Sequence, residues 1–188
     1  MESFNKRKKD TLSKLDKSSK KSWDKKVVDL CEKINSLENF YTTSSCSGRI
    51  VLIVDNAKKG PGLFVKVWYE EISFEELIAS LRSVMDNSAR KTIMFKSEPC
   101  ILHVACENLE GALNFLKKAR SVGFKRGGII SGGSRFVLEL IGTEKLEFPI
   151  IENGKILVDD EFLKLIVKKS NENLKKSWER IEKLKNIL

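Results

Sequence analysis

Two places in the chain hold side chains whose types and spacing could do chemistry. The first is Tyr41-Thr42-Thr43-Ser44-Ser45-Cys46-Ser47-Gly48-Arg49, a run of hydroxyls with one thiol, one glycine and one arginine. Short hydroxyl side chains bond nearby backbone and compete with regular structure. Gly48 allows backbone shapes that a Cβ forbids. The run therefore reads as a polar turn that delivers Cys46 and Arg49 to a strand, either as a ligand site or as an ordinary serine-rich loop. The second place is His103, the one histidine of the chain, set in the apolar strand Cys100–Cys106. Histidine is the side chain best suited to proton transfer near neutral pH, and it is equally common as a half-buried packing residue. Cys46 and His103 have the types of a nucleophile and its base, but no nucleophile elbow frames either of them. Gly127-Gly128 and Ser131-Gly132-Gly133-Ser134 fit neither a dinucleotide fingerprint nor a phosphate-binding loop, and a tight hairpin is the better reading. Trp23, Trp68 and Trp178 read as packing residues, with Trp23 also placed beside a basic arm where a base could stack.

These residues must be positioned by the elements around them. A short basic helix over 3–15 breaks at Asp16-Lys17-Ser18-Ser19. Val27, Leu30, Cys31, Ile34 and Leu37 then recur at helical spacing, and predict an amphipathic helix over 23–38 capped by Ser22, with Cys31 as core filler. Strands over 50–54 and 63–69 flank a glycine-rich loop over 55–62 that suits a hairpin. Ser73 and Glu76 form a capping box for a helix to about residue 87. Strands follow over 91–96 and 100–106, the second putting Ile101, His103 and Ala105 on one face and Leu102, Val104 and Cys106 on the other. The next helix buries Leu109, Ala112, Leu113, Leu116 and Ala119 and stops at Gly123, with Phe124 packing back. Three more strands, a turn at Asn153-Gly154 and a long helix from about 159 to 188 complete the chain, with a kink expected at Ser170-Asn171. The order predicts an α+β fold, a mixed, mainly antiparallel sheet packed with helices, and excludes a Rossmann-type methyltransferase topology, which needs a helix between most strands.

Length and composition suit one α+β domain: 188 residues, 41% of them apolar. A basic N-terminal arm (1–26) and the long C-terminal helix flank it. The net charge of +9 lies at the chain ends, since residues 1–26 carry +6, residues 155–188 carry +3 and the middle is neutral. Basic ends on a neutral body predict a grip on a phosphate backbone, against a lysine-rich solvated surface. No apolar run of about 18 residues predicts a membrane span, and no signal segment opens the chain, so a cytoplasmic protein is expected. Cys31, Cys46, Cys100 and Cys106 form no CxxC pair, so zinc spacing is missing and no metal is expected.

Several separated motifs resemble one family, in order. They are Asp16-Lys17-Ser18, Trp23-Asp24, Ile34-Asn35, the run Tyr41 to Arg49, Phe95-Lys96, Glu98-Pro99, Ile101 to Cys106, Gly123-Phe124-Lys125 and Gly127-Gly128-Ile129. Together they resemble the tRNA wybutosine-synthesizing methyltransferases of the third pathway step, over roughly residues 4 to 150. Two departures stand out: Lys21 where relatives often have glycine, and Trp68-Tyr69-Glu70 where a histidine often ends the hairpin. The resemblance implies S-adenosylmethionine as cofactor, phenylalanine tRNA as partner, and methylation of a ring nitrogen of the tricyclic guanosine beside the anticodon. It implies His103 and Asp16 as catalytic residues, His103 orienting the base or taking its proton and Asp16 meeting the base edge or the cofactor amine. Ser44, Ser45, Cys46, Ser47 and Arg49 would bind the cofactor or substrate, with Arg49 on a carboxylate or phosphate. The rivals are a non-catalytic basic RNA-binding module and a thiol enzyme built on Cys46.

Overall fold

A computed structural model describes residues 3–14, 24–55, 62–85 and 91–188. The expected breaks at Asp16-Lys17-Ser18-Ser19 and the Ser22 cap lie outside these residues, as do most of the loop over 55–62 and the end of the helix predicted to residue 87. The elements are α1 (Phe4–Leu12), α2 (Val28–Ser36), β1 (Phe40–Cys46), β2 (Arg49–Val54), β3 (Phe64–Trp68), α3 (Phe74–Met85), β4 (Ile93–Glu98), β5 (Ile101–Cys106), α4 (Leu109–Ser121), β6 (Arg126–Ser131), β7 (Phe136–Ile141), β8 (Leu146–Glu152), β9 (Lys155–Ile156) and α5 (Asp160–Ile187). Among the described residues every strand pairing is antiparallel. The α+β class holds, and the strands form two sheets.

The chain divides into two compact units, one made of residues 1–47, 100–143 and 177–188, the other of 48–99 and 144–176. The first carries a four-stranded sheet in the order β1-β5-β7-β6. One face of it is the core: Leu102, Val104 and Cys106 of β5 and Leu138 and Leu140 of β7 pack with Leu30, Cys31 and Ile34 of α2, Ala112, Phe115 and Ala119 of α4, and Ile181 and Leu184 of α5. The second unit carries the sheet β3-β2-β4-β8-β9, and its buried residues include Leu52, Leu77, Leu81, Phe95, Ile150 and Leu163. In that unit Asn171 pins the backbone ahead of α3, accepting from Ile72 N at 3.0 Å and donating to Ile72 O at 2.8 Å. Helix α5 is uninterrupted through Ser170-Asn171, and the Asn171 amide bonds Ile72 rather than its own helix.

Several local expectations hold. Ser73 Oγ accepts from Glu76 N at 3.1 Å while Glu76 accepts from Ser73 N at 2.7 Å, the two halves of the capping box. Gly123, at φ 105°, ends α4, and Phe124 N returns to Ala119 O at 3.0 Å. Others are corrected. The run Tyr41 to Cys46 is a strand rather than a turn, with a register shift between Thr42 and Ser44. A half-exposed edge tolerates hydroxyls on its outer positions, and threonine and tyrosine suit strands. α2 starts at Val28, later than 23, with Val27 N bonded to Asp24 O. Strands adjacent in sequence are not always adjacent in space: β1 pairs with β5 and β2 with β4, because the chain passes between units at Ser47–Gly48 and Pro99–Cys100. Leu109 and Leu113 are exposed, and Phe115 takes the buried place on α4.

Candidate active site

The face of the first sheet opposite its core places β1, β5, β7 and β6 side by side at one level. Ser44 lies opposite His103, His103 opposite Glu139, and Glu139 opposite Gly128. Ser44 is exposed. His103 and Glu139 are half-buried, at 21% and 29% side-chain exposure, with Nε2 3.0 Å from Glu139 Oε2. An ionised carboxylate only accepts, so facing an ionised Glu139 it is Nε2 that donates in this bond. Nδ1 is buried and has no hydrogen-bond partner among the described residues. A pair this exposed contributes about 1 kcal/mol or less to stability, so its main consequence is to fix the ring's orientation and tautomer.

α1 closes one end of this face. Phe4 packs on Tyr41, ring centroids 5.2 Å apart, and forms a small buried cluster with Ala105. Arg135 donates from Nη1 to the Tyr41 hydroxyl at 3.0 Å, and Arg7 donates to Ser134 Oγ at 2.5 Å. Lys8 Nζ donates to Leu37 O, and burial holds its ammonium below the usual lysine range. Residues 4–12 of the basic N-terminal segment are thus a docked helix.

The alternation of β1 separates the hydroxyls that sequence groups together. Ser44 and Cys46 fall on the His103 face. Ser45 falls on the core side, where its Oγ accepts from Cys31 Sγ at 3.4 Å. Ser47 is fully buried and donates from both N, at 3.1 Å, and Oγ to Asp24 Oδ2. Arg49 belongs to the second unit, where its Nε lies 2.6 Å from Glu98 Oε2 and its guanidinium sits 5.1 Å from the Phe64 ring centroid. Asp16 lies outside the described residues. Burial pushes the Cys31 thiol up, against hydrogen bonds from Ser45 and Thr42, and pushes Cys106 up to about 12, so both stay protonated. His103 directs Nε2 to Glu139, not to a thiol.

Glu139 and Asp24 are the functional candidates that sequence reasoning passed over. Glu139 carried a signal: it is the one charge in the apolar strand Phe136-Val137-Leu138-Glu139-Leu140-Ile141. Asp24 carried only its place in a motif, and its partner, Ser47, is 23 residues away.

Among the described residues no helix is long and apolar enough to cross a membrane. The family model for Methyltransferase TYW3 matches residues 6–188. The chain is 38% identical over 178 residues, 93% of this chain and 87% of the relative, to an Archaeoglobus fulgidus protein named tRNA(Phe) 7-((3-amino-3-carboxypropyl)-4-demethylwyosine(37)-N(4))-methyltransferase. A Pyrococcus abyssi protein of the same activity, numbered 2, is 40% identical over 165 residues, 86% of this chain and 77% of its own. A solved Pyrococcus horikoshii structure superposes with a TM-score of 0.85 at 31% identity, covering 98% of this chain and 95% of that one. The matched length, the identities and the shared fold agree, and the chain belongs to the TYW3 methyltransferase family.

Proposed function

We propose that this methyltransferase moves a methyl group from S-adenosylmethionine to a ring nitrogen of the tricyclic wyosine-type guanosine beside the anticodon of phenylalanine tRNA. The observation that carries the reading is the activity named for the archaeal relatives, matched over most of both chains. Four cysteines without zinc spacing suit a reducing, cytoplasmic setting for that work.

S-adenosylmethionine supplies a methyl group on a positively charged sulfur. The donor set on the face of the first sheet opposite its core suits such a group and a flat base together. The Glu139 carboxylate complements a cation, the exposed Ser44 hydroxyl offers a hydrogen bond, and nothing lies within 4 Å of the space a Cβ on Gly128 would fill. Methyl transfer asks the protein chiefly for alignment and for an acceptor of the proton that the ring nitrogen gives up. The His103–Glu139 pair is that acceptor in our reading. Ser44 and Cys46 line the face and bind cofactor or substrate. Ser45 and Ser47 hold β1 from behind, through Cys31 and Asp24. Arg49 takes a carboxylate or phosphate, and Asp16 the base edge or the cofactor amine.

The test is transfer of label from S-adenosylmethionine to phenylalanine tRNA carrying the unmethylated tricyclic base, with unmodified tRNA beside it. Label on the tricyclic base alone is the expected result. Equal labelling of both tRNAs, or of neither, contradicts the assignment. A bare RNA-binding module would bind both tRNAs and leave S-adenosylmethionine untouched.

A further inference from the structure

The His103–Glu139 pair has two ends, and the geometry distinguishes them. At the histidine end the remaining ring nitrogen, Nδ1, is buried and unpartnered among the described residues, so a substrate group does not reach it without rearrangement. At the glutamate end Oε2 is held by His103 Nε2 at 3.0 Å, while the side chain keeps 29% exposure. Next to it lies Gly128, with open space where a side chain would stand. On the other flank of His103 is exposed Ser44. The outward-facing acceptor of the pair is therefore the carboxylate, and the imidazole stands behind it as a donor.

We propose that Glu139 is the catalytic residue that accepts the proton of the methylated ring nitrogen, and that His103 is a positioning residue that orients this carboxylate through Nε2–H. The inference rests on the function proposed above. The balance is complete. The ring nitrogen's lone pair forms the new N–C bond, and the carbon–sulfur bond of the sulfonium donor breaks with its pair passing to sulfur. The N–H bond breaks with its pair kept by the ring, and the proton goes to Oε1 of Glu139. A carboxylate suffices because a nitrogen gaining a fourth bond becomes cationic, which makes its proton strongly acidic as the methyl arrives. The role differs from that of a histidine base: the imidazole neither gains nor loses a proton in the step.

Two substitutions separate the roles. Glu139→Gln keeps the size and an oxygen that can still accept from His103, but removes the basic carboxylate; kcat is expected to fall by about 100-fold or more with KM for tRNA little changed. His103→Gln keeps an N–H that can serve Glu139 Oε2, so its kcat is expected to fall only about 10-fold, while His103→Leu, which has no donor, loses about 100-fold. A His103→Gln variant as inactive as Glu139→Gln, or more so, would overturn the assignment. A second readout needs no activity and no variant. The chain has a single histidine, so nitrogen NMR of ¹⁵N-histidine-labelled protein reports one imidazole. The proton on Nε2 is the expected tautomer; a proton on Nδ1 instead would sink the proposal whatever the variants do. Failure of the underlying reading looks different: the unaltered protein would then transfer no label at all, and the role of Glu139 would fall with it.

Discussion

Gly127→Ala will unfold the edge of the first sheet. Gly127 sits at φ 105°, and a Cβ there would lie 1.9 Å from the carbonyl oxygen of Glu139. Both atoms of that overlap are tied to backbone, so no side chain can turn aside to relieve it. The left-handed conformation alone costs a residue with a side chain on the order of 1–3 kcal/mol. Relieving the overlap requires β6 to part from β7 where Gly127 pairs with Leu140 and Gly128 with Glu139. The two effects together should cost about 4 kcal/mol, in the range that marks a specific structural failure. Urea denaturation measures it, with Gly128→Ala as the matched control. At Gly128 a Cβ meets nothing within 4 Å, so that change should move stability by about 0.5–1 kcal/mol at most. It should nevertheless lower methyl transfer, because it sets a methyl group beside Glu139. Equal stability of Gly127→Ala and the unaltered protein would contradict this account of the hairpin.

The second large effect belongs to Asp24. The residue is 8% exposed, and its carboxylate is the acceptor for both the amide and the hydroxyl of fully buried Ser47. Asp24→Ala leaves two buried donors unsatisfied at the junction where β1 ends. A buried donor that loses its partner costs about 1–3 kcal/mol, so the pair should cost about 2–4 kcal/mol. Asp24→Asn should fall between, because one amide oxygen can still accept. Ser47→Ala removes one donor and keeps the other satisfied, so it should cost about 1 kcal/mol. Hydrogen exchange at the Ser47 amide gives a local reading. It should be slow in the unaltered protein and quicken strongly in Asp24→Ala; slow exchange and unchanged stability in that variant would refute the role.

Residues whose signals are local were legible in the sequence. The capping box at Ser73 and Glu76 needs only two intervening positions, and the stop at Gly123 needs only a glycine after an amphipathic helix. The β6–β7 hairpin around Gly132-Gly133, the α+β class and the family resemblance also emerged from order and motif. What stayed hidden depends on partners distant in sequence. Tyr41 to Cys46 has the composition of a turn, and only pairing with β5 makes it a strand. Once it is a strand, period-two alternation splits Ser44 from Ser45, a division that a cluster of similar residues conceals. Leu109 and Leu113 match the buried helical period as well as Phe115 does, and the packing of α4 chooses between them. Glu139 gains its meaning from His103, 36 residues earlier, which a strand register supplies and a residue count does not.

We propose that methyl transfer takes place on the sheet face where Ser44, His103, Glu139 and Gly128 lie abreast. The most direct measurement follows the ¹⁵N-labelled imidazole of the single histidine while phenylalanine tRNA bearing the tricyclic base is added in the presence of S-adenosylhomocysteine. The account predicts a saturable shift of the His103 resonances with the tricyclic tRNA, and a weaker response to unmodified tRNA. Resonances that stay in place while tRNA binding runs to saturation would put the reaction elsewhere on the protein.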